Sequence, residues 1–386
     1  MDPEVSVLLH CADWSGLLES QVQVELSDRF NRQTDAALER HIEEVWMERV
    51  SKEPWLFNGA KFRLHSFCLA SPQSPSSSCP PAKHPQCTPS SKVPSLDCVD
   101  DQGDKSRSRQ RQEDLCHTDP PHDAAQNSLD LRNSSLNQTE NVEGVIQQTA
   151  SSTCRTAGPP LLLTLRLGLT CYKDYLGTNW SSQVAELRQR GEAEFGDPLV
   201  LLAQPLGVGA ILCTDDRQVV LIRRSQRVAE AGGLLDIPGG HPEPKVVCEH
   251  LGQAKEISME VMQQKPEAVV SELFSSVCAE IRDEVNVPLS CLREPVLMGV
   301  ALNHTSAGRP SAEFYVRCSL SSNEVKKLYW KGGAEAHEST DIVFLGRTEM
   351  LQLDRSSPLW SELCPSAKGA VLLYQTVKPD GEQDLS

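Results

Sequence analysis

The chain has 386 residues, 39% of them hydrophobic and only 5% aromatic, with 25 prolines, enough for one or two packed cores beside a segment that buries nothing. A formal charge of −16 argues against nucleic acid as a partner, because binding to a phosphate backbone needs a clustered positive surface that releases counterions. No stretch approaches the roughly 20 apolar residues of a membrane span, and the start, Met1-Asp2-Pro3-Glu4-Val5, has no basic segment leading into an apolar run, so an intracellular protein, cytoplasmic or nuclear, without signal peptide or membrane partner is the expectation.

In the first 70 residues, read as an N-terminal α/β region, Thr34 is expected to cap a helix on which Leu38, Ile42, Val45, Trp46 and Val50 recur at helical spacing, and Glu53-Pro54 to stop it. A strand over 62–66 follows. From 71 to 158 the sequence turns to Ser, Pro, Gln and Asp with short charge runs, as in Lys105-Ser106-Arg107-Ser108-Arg109, and cannot bury a core. It reads as a disordered insert, a flexible loop between elements that meet without it, with a regulatory or docking segment as the functional alternative. Leu161 to Leu167 reads as a buried strand pairing with 62–66 across that insert, and 159–204 continues the N-terminal region. The fourteen cysteines form no Cys-x-x-Cys pair and are expected to be reduced thiols; the sequons at Asn133, Asn137, Asn179 and Asn303 are read as chance.

A second pattern occupies 205–376 and leaves 377–386 as a tail. Strands over 207–212 and 219–224 flank the polar turn 214–218 and read as a hairpin. Gly232-Gly233 and Pro238-Gly239-Gly240 follow, then a polar stretch, then a helix whose apolar members are Val270, Leu273, Phe274, Val277, Cys278, Ile281 and Val285, stopped by Pro288. Strands over 296–302, 313–318 and 341–345 and helices over 323–330 and 367–374 complete a mixed α/β class.

The most informative segment is Glu280-Ile281-Arg282-Asp283-Glu284. Positions three and four apart are helix neighbours, so Glu280, Asp283 and Glu284 share one face within roughly 6 Å of each other. Clustered carboxylates suit a hard divalent cation such as Mg²⁺, which takes one or two of them, several waters and substrate phosphate oxygens. The spacing therefore points to phosphate chemistry.

The order of strand, turn, strand, Pro-Gly-Gly turn and acidic helix resembles the Nudix hydrolases, whose signature box opens on a glycine and closes on Arg-Glu-U-x-Glu-Glu-x-Gly-U, U being a bulky aliphatic residue. Gly240 fits the opening glycine and 279–287 the closing run. Ala279 stands at the arginine, Asp283 at the first glutamate of the pair, Asn286 at the glycine and Val246 at an earlier glutamate, and extra residues separate turn from helix. The strings Gly239-Gly240-His241-Pro242-Glu243, Ser311-Ala312-Glu313-Phe314-Tyr315-Val316, Ala336-His337-Glu338-Ser339-Thr340 and Cys364-Pro365-Ser366-Ala367-Lys368 are similar to a branch of the family that acts on UDP-sugars; the likeness covers 1–70 and 160–376.

The resemblance implies a Nudix fold, a mixed sheet between helices with an added N-terminal region. It also implies hydrolysis of UDP-glucose or UDP-galactose to UMP and the hexose 1-phosphate with Mg²⁺, or Mn²⁺ in its place. Glu280 and Glu284 are the expected metal ligands and, with Asp283 reaching through water, the catalytic acids. Arg224 is the candidate phosphate holder, with Arg223 facing the other side of its strand. Asp236, His241 and Glu243 crowd the turn where sugar hydroxyls need partners, a contact at Ala229 is a further candidate, and Phe57 and Tyr172 are the flat platforms offered to uracil, worth about 1–3 kcal/mol each if they stack. For the base the sequence leaves Glu284, Glu335, His337 and Glu338 open. The expected partner is thus a small nucleotide sugar. A catalytically silent nucleotide-binding or scaffold protein, or a diphosphatase for another nucleoside diphosphate derivative, are the alternatives; retention of both Glu280 and Glu284 favours the enzyme.

Overall fold

The computed structural model describes residues 2–70, 161–228, 230–253 and 256–381. Before residue 71 come β1 (Val5–His10), β2 (Val22–Leu26), α1 (Ala36–Lys52) and β3 (Ala60–Leu69); from 161 follow β4 (Leu163–Cys171), α2 (Tyr172–Gly177) and α3 (Val184–Phe195). Then come β5 (Gly207–Cys213), β6 (Gln218–Arg224), β7 (Leu235–Asp236), β8 (Gly239–Gly240), α4 (Pro244–His250), α5 (Met259–Gln264) and α6 (Pro266–Val285). The chain closes with β9 (Val296–Asn303), β10 (Arg309–Arg317), α7 (Ser322–Tyr329), β11 (Ser339–Gly346), α8 (Arg347–Gln352) and α9 (Pro365–Val377).

β3 and β4 pair antiparallel as expected, with Leu64 opposite Leu167 and Leu69 opposite Leu163, and the Ala70 N–H donates to the Leu162 carbonyl at 2.7 Å. The insert 71–158 between them lies outside the described residues. β2 adds to β4 in parallel and completes a three-stranded sheet. The cap of α1 is Asp35 rather than Thr34: its carboxylate accepts the Ala37 and Leu38 N–H groups at 2.8 and 2.9 Å, satisfying two orphan donors and opposing the helix dipole, while the Thr34 hydroxyl turns to Glu39. α1 ends at Lys52, at the expected stop.

The larger sheet runs β1-β9-β10-β5-β6-β11, with β7 on β6 and β8 on β5. β5 and β6 do not form the expected full hairpin. They meet at Cys213 opposite Val219 and part from there, while along their outer edges β5 pairs in parallel with β10 from Gly207 to Cys213 and β6 pairs with β11. Into the splay fits 235–240, Gly239 and Gly240 pairing with β5 and Leu235 and Asp236 with β6. This wedge brings the Pro-Gly-Gly turn to the middle of the sheet.

Helices cover both faces. α6 lays Val270, Leu273, Phe274, Val277 and Ile281 against Ala210, Leu212, Val220, Val300 and Phe314, in one cluster that also takes in Val22, Leu165 and Phe62 of the small sheet; the Phe274 and Phe314 rings meet edge to face at 5.0 Å. α9 packs Ala367, Ala370, Val371 and Tyr374 on Ile211, Leu221, Met298 and Tyr315 of the opposite face. The mixed sheet between helices is therefore present. α6 ends at Val285, three residues before the expected stop Pro288: its C-cap Asn286 adopts the left-handed conformation at φ 65° and its amide donates to the Leu328 carbonyl at 2.8 Å. Asparagine tolerates that conformation better than other side chains, which accounts for its standing where the box has glycine. The stretch after the turn, read only as polar, holds α4 and α5, whose Val247, Cys248 and Met262 are buried. Among the described residues no helix is long and apolar enough to cross a membrane, and all nine cysteines are free.

Candidate active site

α6 packs against β8 and places Glu280 and Glu284, one turn apart, against the backbone of 239–241. The Glu284 carboxylate accepts the Gly239 N–H at 2.9 Å and is only 3% exposed. Glu280 accepts from the His241 backbone and fills the space where a side chain on Gly240 would begin; a Cβ there would collide with its carboxylate. Glycine at 240 is thus required by the close approach of helix and turn. Burial first, then repulsion from Glu280, Asp236 and Glu338, pushes the Glu284 carboxyl well above its ordinary range against the pull of the Gly239 N–H. Burial and Glu335 push Glu280 up to about 7, the His241 N–H and Lys61 opposing and Glu338 reinforcing.

Asp283 does not join them: both its oxygens take the Arg282 guanidinium, at 2.7 and 2.6 Å. Its carbonyl instead holds the 333–338 loop, accepting the Glu335 N–H at 2.9 Å. Burial, Glu338 and Asp283 push the Glu335 carboxyl up. Among the described residues no three His, Cys, Asp or Glu side chains are assembled as a cage for a metal ion. What the turn gathers is concentrated acid that its neighbouring cations, Lys61 and Arg224, offset only in part.

In front of the turn opens a cleft of about 740 Å³, bounded by Gly239, Gly240 and His241, by Lys61, Tyr172, Tyr175 and Trp180 from the N-terminal region, and by Ser311 and Glu313 of β10; its size suits a drug-sized ligand. Glu280 and Glu284 stand behind the turn rather than on the wall, while Glu338 and His337 are on it. Arg224 is also on the wall, but engaged: it bonds Asp236 at 2.9 Å and the Glu230 carbonyl at 3.1 Å, whereas Arg223 points elsewhere, to the Gly233 carbonyl and Glu362. Asp236, buried, accepts from both Arg224 and Ser366. Enclosure, with Lys61 and Arg309 near, pushes the His241 imidazole well below its usual value, so it is neutral. Glu243 is exposed, 3.7 Å from Lys61, and its N–H is held by Glu272; it is not on the wall. Tyr172 lines the cleft. Phe57 does not, being 76% exposed, and Ala229 lies outside the described residues.

Besides Tyr172, an expected candidate, the wall holds residues that sequence reasoning passed over. Tyr172, Tyr175 and Trp180 form a ladder of rings with centroids 6.3 and 5.9 Å apart. Arg309 bridges to Glu230 at 3.3 Å, which also takes the Tyr175 hydroxyl. Lys61 arrives on β3. Glu313 carried a signal, a lone acid inside the apolar run Ala312 to Val316; for Lys61 and Trp180 there was none, because only the packing of the small sheet brings them to the cleft.

Compared with known proteins, the chain is 41% identical over 379 residues to the uridine diphosphate glucose pyrophosphatase NUDT22 of Bos taurus, across 98% of this chain and 99% of that one. It is 41% identical over 383 residues to the protein of the same name from Homo sapiens, across 98% and 94%, and 28% identical over 386 residues to Nudix hydrolase 9 of Arabidopsis thaliana, across 97% and 92%. No family model matches the chain.

Proposed function

Since the chain belongs to the Nudix hydrolase family, we propose that it hydrolyses the pyrophosphate bond of UDP-sugars, UDP-glucose and UDP-galactose, to UMP and hexose 1-phosphate with Mg²⁺. The relatives at 41% identity are named for UDP-glucose. The observation that carries the reading is the pair Glu280 and Glu284 lodged on the Pro-Gly-Gly turn, both with ionisation opposed by burial and by each other's neighbours. Such a concentration of buried acid beside a cleft fits a divalent cation, and a pair of carboxylates is what Mg²⁺ asks of the protein when phosphate and water complete its shell. Glu280 and Glu284 would hold the ion. When bound, it supplies positive charge to the pyrophosphate oxygens.

The remaining work falls to the wall. Arg224, fixed by Asp236 and the Glu230 carbonyl, presents its free edge to phosphate; Lys61 and Arg309 add charge from the other side. Neutral His241 both donates and accepts, as a sugar hydroxyl requires. Glu338, on the wall, is the best placed of the loop acids to accept a proton from the attacking water.

The test is UMP release over a panel of nucleotide sugars with and without Mg²⁺. Turnover of the UDP-sugars that disappears with EDTA is expected; a panel with no turnover would return the fold to a silent binding role. The ring ladder makes a second expectation. If it stacks uracil equally in ground and transition states, Trp180→Ala raises KM by about tenfold with kcat little changed, whereas Phe57→Ala leaves both unaltered; steady-state kinetics reversing that order would move the base to the other wall.

A further inference from the structure

Glu313 sits in the middle of the largest sheet with no exposed surface, and among the described residues neither of its carboxyl oxygens meets a partner in full hydrogen-bond geometry, the Ser311 hydroxyl of its own strand approaching it without closing a well-formed bond. Buried polar groups are nearly always paired, and leaving one unpaired costs about 1–3 kcal/mol. A strand has room for such a side chain only if its neighbours give way. Here they do: Glu313 stands opposite Gly209 on β5 and Gly299 on β9, and a Cβ on Gly209 would run into the Glu313 carboxyl. Alternation along β10 turns Arg309, Ser311 and Glu313 to one side, and all three line the cleft. The groups that face Glu313 are Asp236 from β7, which reinforces the effect of burial, and Ser311 and Arg309 of its own strand, which oppose it; burial dominates and pushes the carboxyl up to about 8. At neutral pH it is therefore an acid that can donate one hydrogen bond and accept another.

We propose that Glu313 is a specificity-determining residue, whose carboxyl pairs with a hydroxyl of the hexose in the bound nucleotide sugar. A hydroxyl, like a neutral carboxyl, donates and accepts, so the two satisfy each other; a phosphate only accepts and would leave one carboxyl oxygen unpaired. This rests on the UDP-sugar reading and names what holds the sugar within it.

The experiment measures Kd by calorimetry for UDP-glucose and for UDP, with the metal chelated, on the full chain and on Glu313→Gln and Glu313→Met. The amide of Glu313→Gln keeps a donor and an acceptor, so its affinities should stay within about threefold of wild type. Glu313→Met should weaken UDP-glucose by about 10- to 100-fold, the scale for a lost hydroxyl partner, and leave UDP unchanged. Because the unpaired acid burdens the free protein, Glu313→Met should also melt higher. Equal weakening of both ligands, or a lower melting temperature with loss of both, would make Glu313 a structural or phosphate-facing residue and overturn the assignment; so would unchanged affinity for UDP-glucose. A wild-type protein that binds UDP but not UDP-glucose would remove the UDP-sugar reading itself, and this one with it.

Discussion

Glu284→Gln is expected to lower kcat for UDP-glucose by about 10²–10³-fold, the scale on which a preorganised electrostatic contact contributes to a transition state, while the protein stays folded. Glutamine matches glutamate in size and still offers an oxygen to the Gly239 N–H, so the turn keeps its anchor. What disappears is the charge. Glu284 is 3% exposed and its ionisation is opposed by burial and by Glu280, Asp236 and Glu338; removing that charge relieves the free protein and removes half of the proposed cation grip. Loss of turnover together with an unchanged or raised melting temperature above neutral pH is thus the expected pairing. Asp283→Asn is the internal control, because Asp283 spends both oxygens on Arg282 and its loss should change kcat by less than about threefold, as for a surface ion pair. Mg²⁺-dependent turnover of Glu284→Gln near wild type would sink the assignment of the two glutamates.

How much of this was legible in the sequence depended on whether a feature was local. The acidic helix, the apolar strands β3 and β4 and the Pro-Gly-Gly turn each announce themselves within a few residues, and each is present; the pairing of β3 with β4 was legible because the insert between them has no apolar pattern with which to compete for either strand. The splay of β5 from β6 does not. Two adjacent apolar strands joined by a short polar turn have the local chemistry of a hairpin, and only the insertion of β7 and β8 from farther along the chain separates them. β1 and β2 were missed for a similar reason: strands of six and five residues earn their place through distant partners, β9 and β4. That Glu280 and Glu284 share a helix face was readable from helical spacing, but the engagement of Asp283 by Arg282 was not, since spacing says nothing of a neighbour competing for it. Of the two rings offered as a platform, Phe57 is exposed and Tyr172 stands on the cleft beside Tyr175 and Trp180, because the placement of a ring is decided by tertiary contacts.

The dependence of stability on pH should carry the other large effect, and its sign follows from the acids. Glu280 titrates at about 7 and Glu313 at about 8 in the folded protein, against about 4.3 for an unperturbed glutamate. Between those values the native state binds more protons than the unfolded one, so stability is fully present below the unfolded value and is lost as pH rises through 7 and 8. His241 acts in the opposite sense, its folded value lying well below the ordinary one, but with an unfolded value of about 6.5 it offsets only about 0.4 kcal/mol over the window. Across pH 6.5 to 8.5, Glu280 and Glu313 together should therefore cost about 3 kcal/mol, at about 1.4 kcal/mol per unit, and lower Tm by roughly 6–10 °C in a domain of this size. Millimolar Mg²⁺ ought to recover part of that loss at pH 8.5 and little at pH 6.5, because a cation binds the ionised carboxylates and stabilises by mass action. Glu313→Gln should flatten the metal-free slope without touching the Mg²⁺ response, and Glu284→Gln should remove the Mg²⁺ response. Thermal melts in which Tm is level over this window and Mg²⁺ shifts it equally at both ends would mean that the acids at the turn are already neutralised by the protein, leaving no charge for an ion to answer.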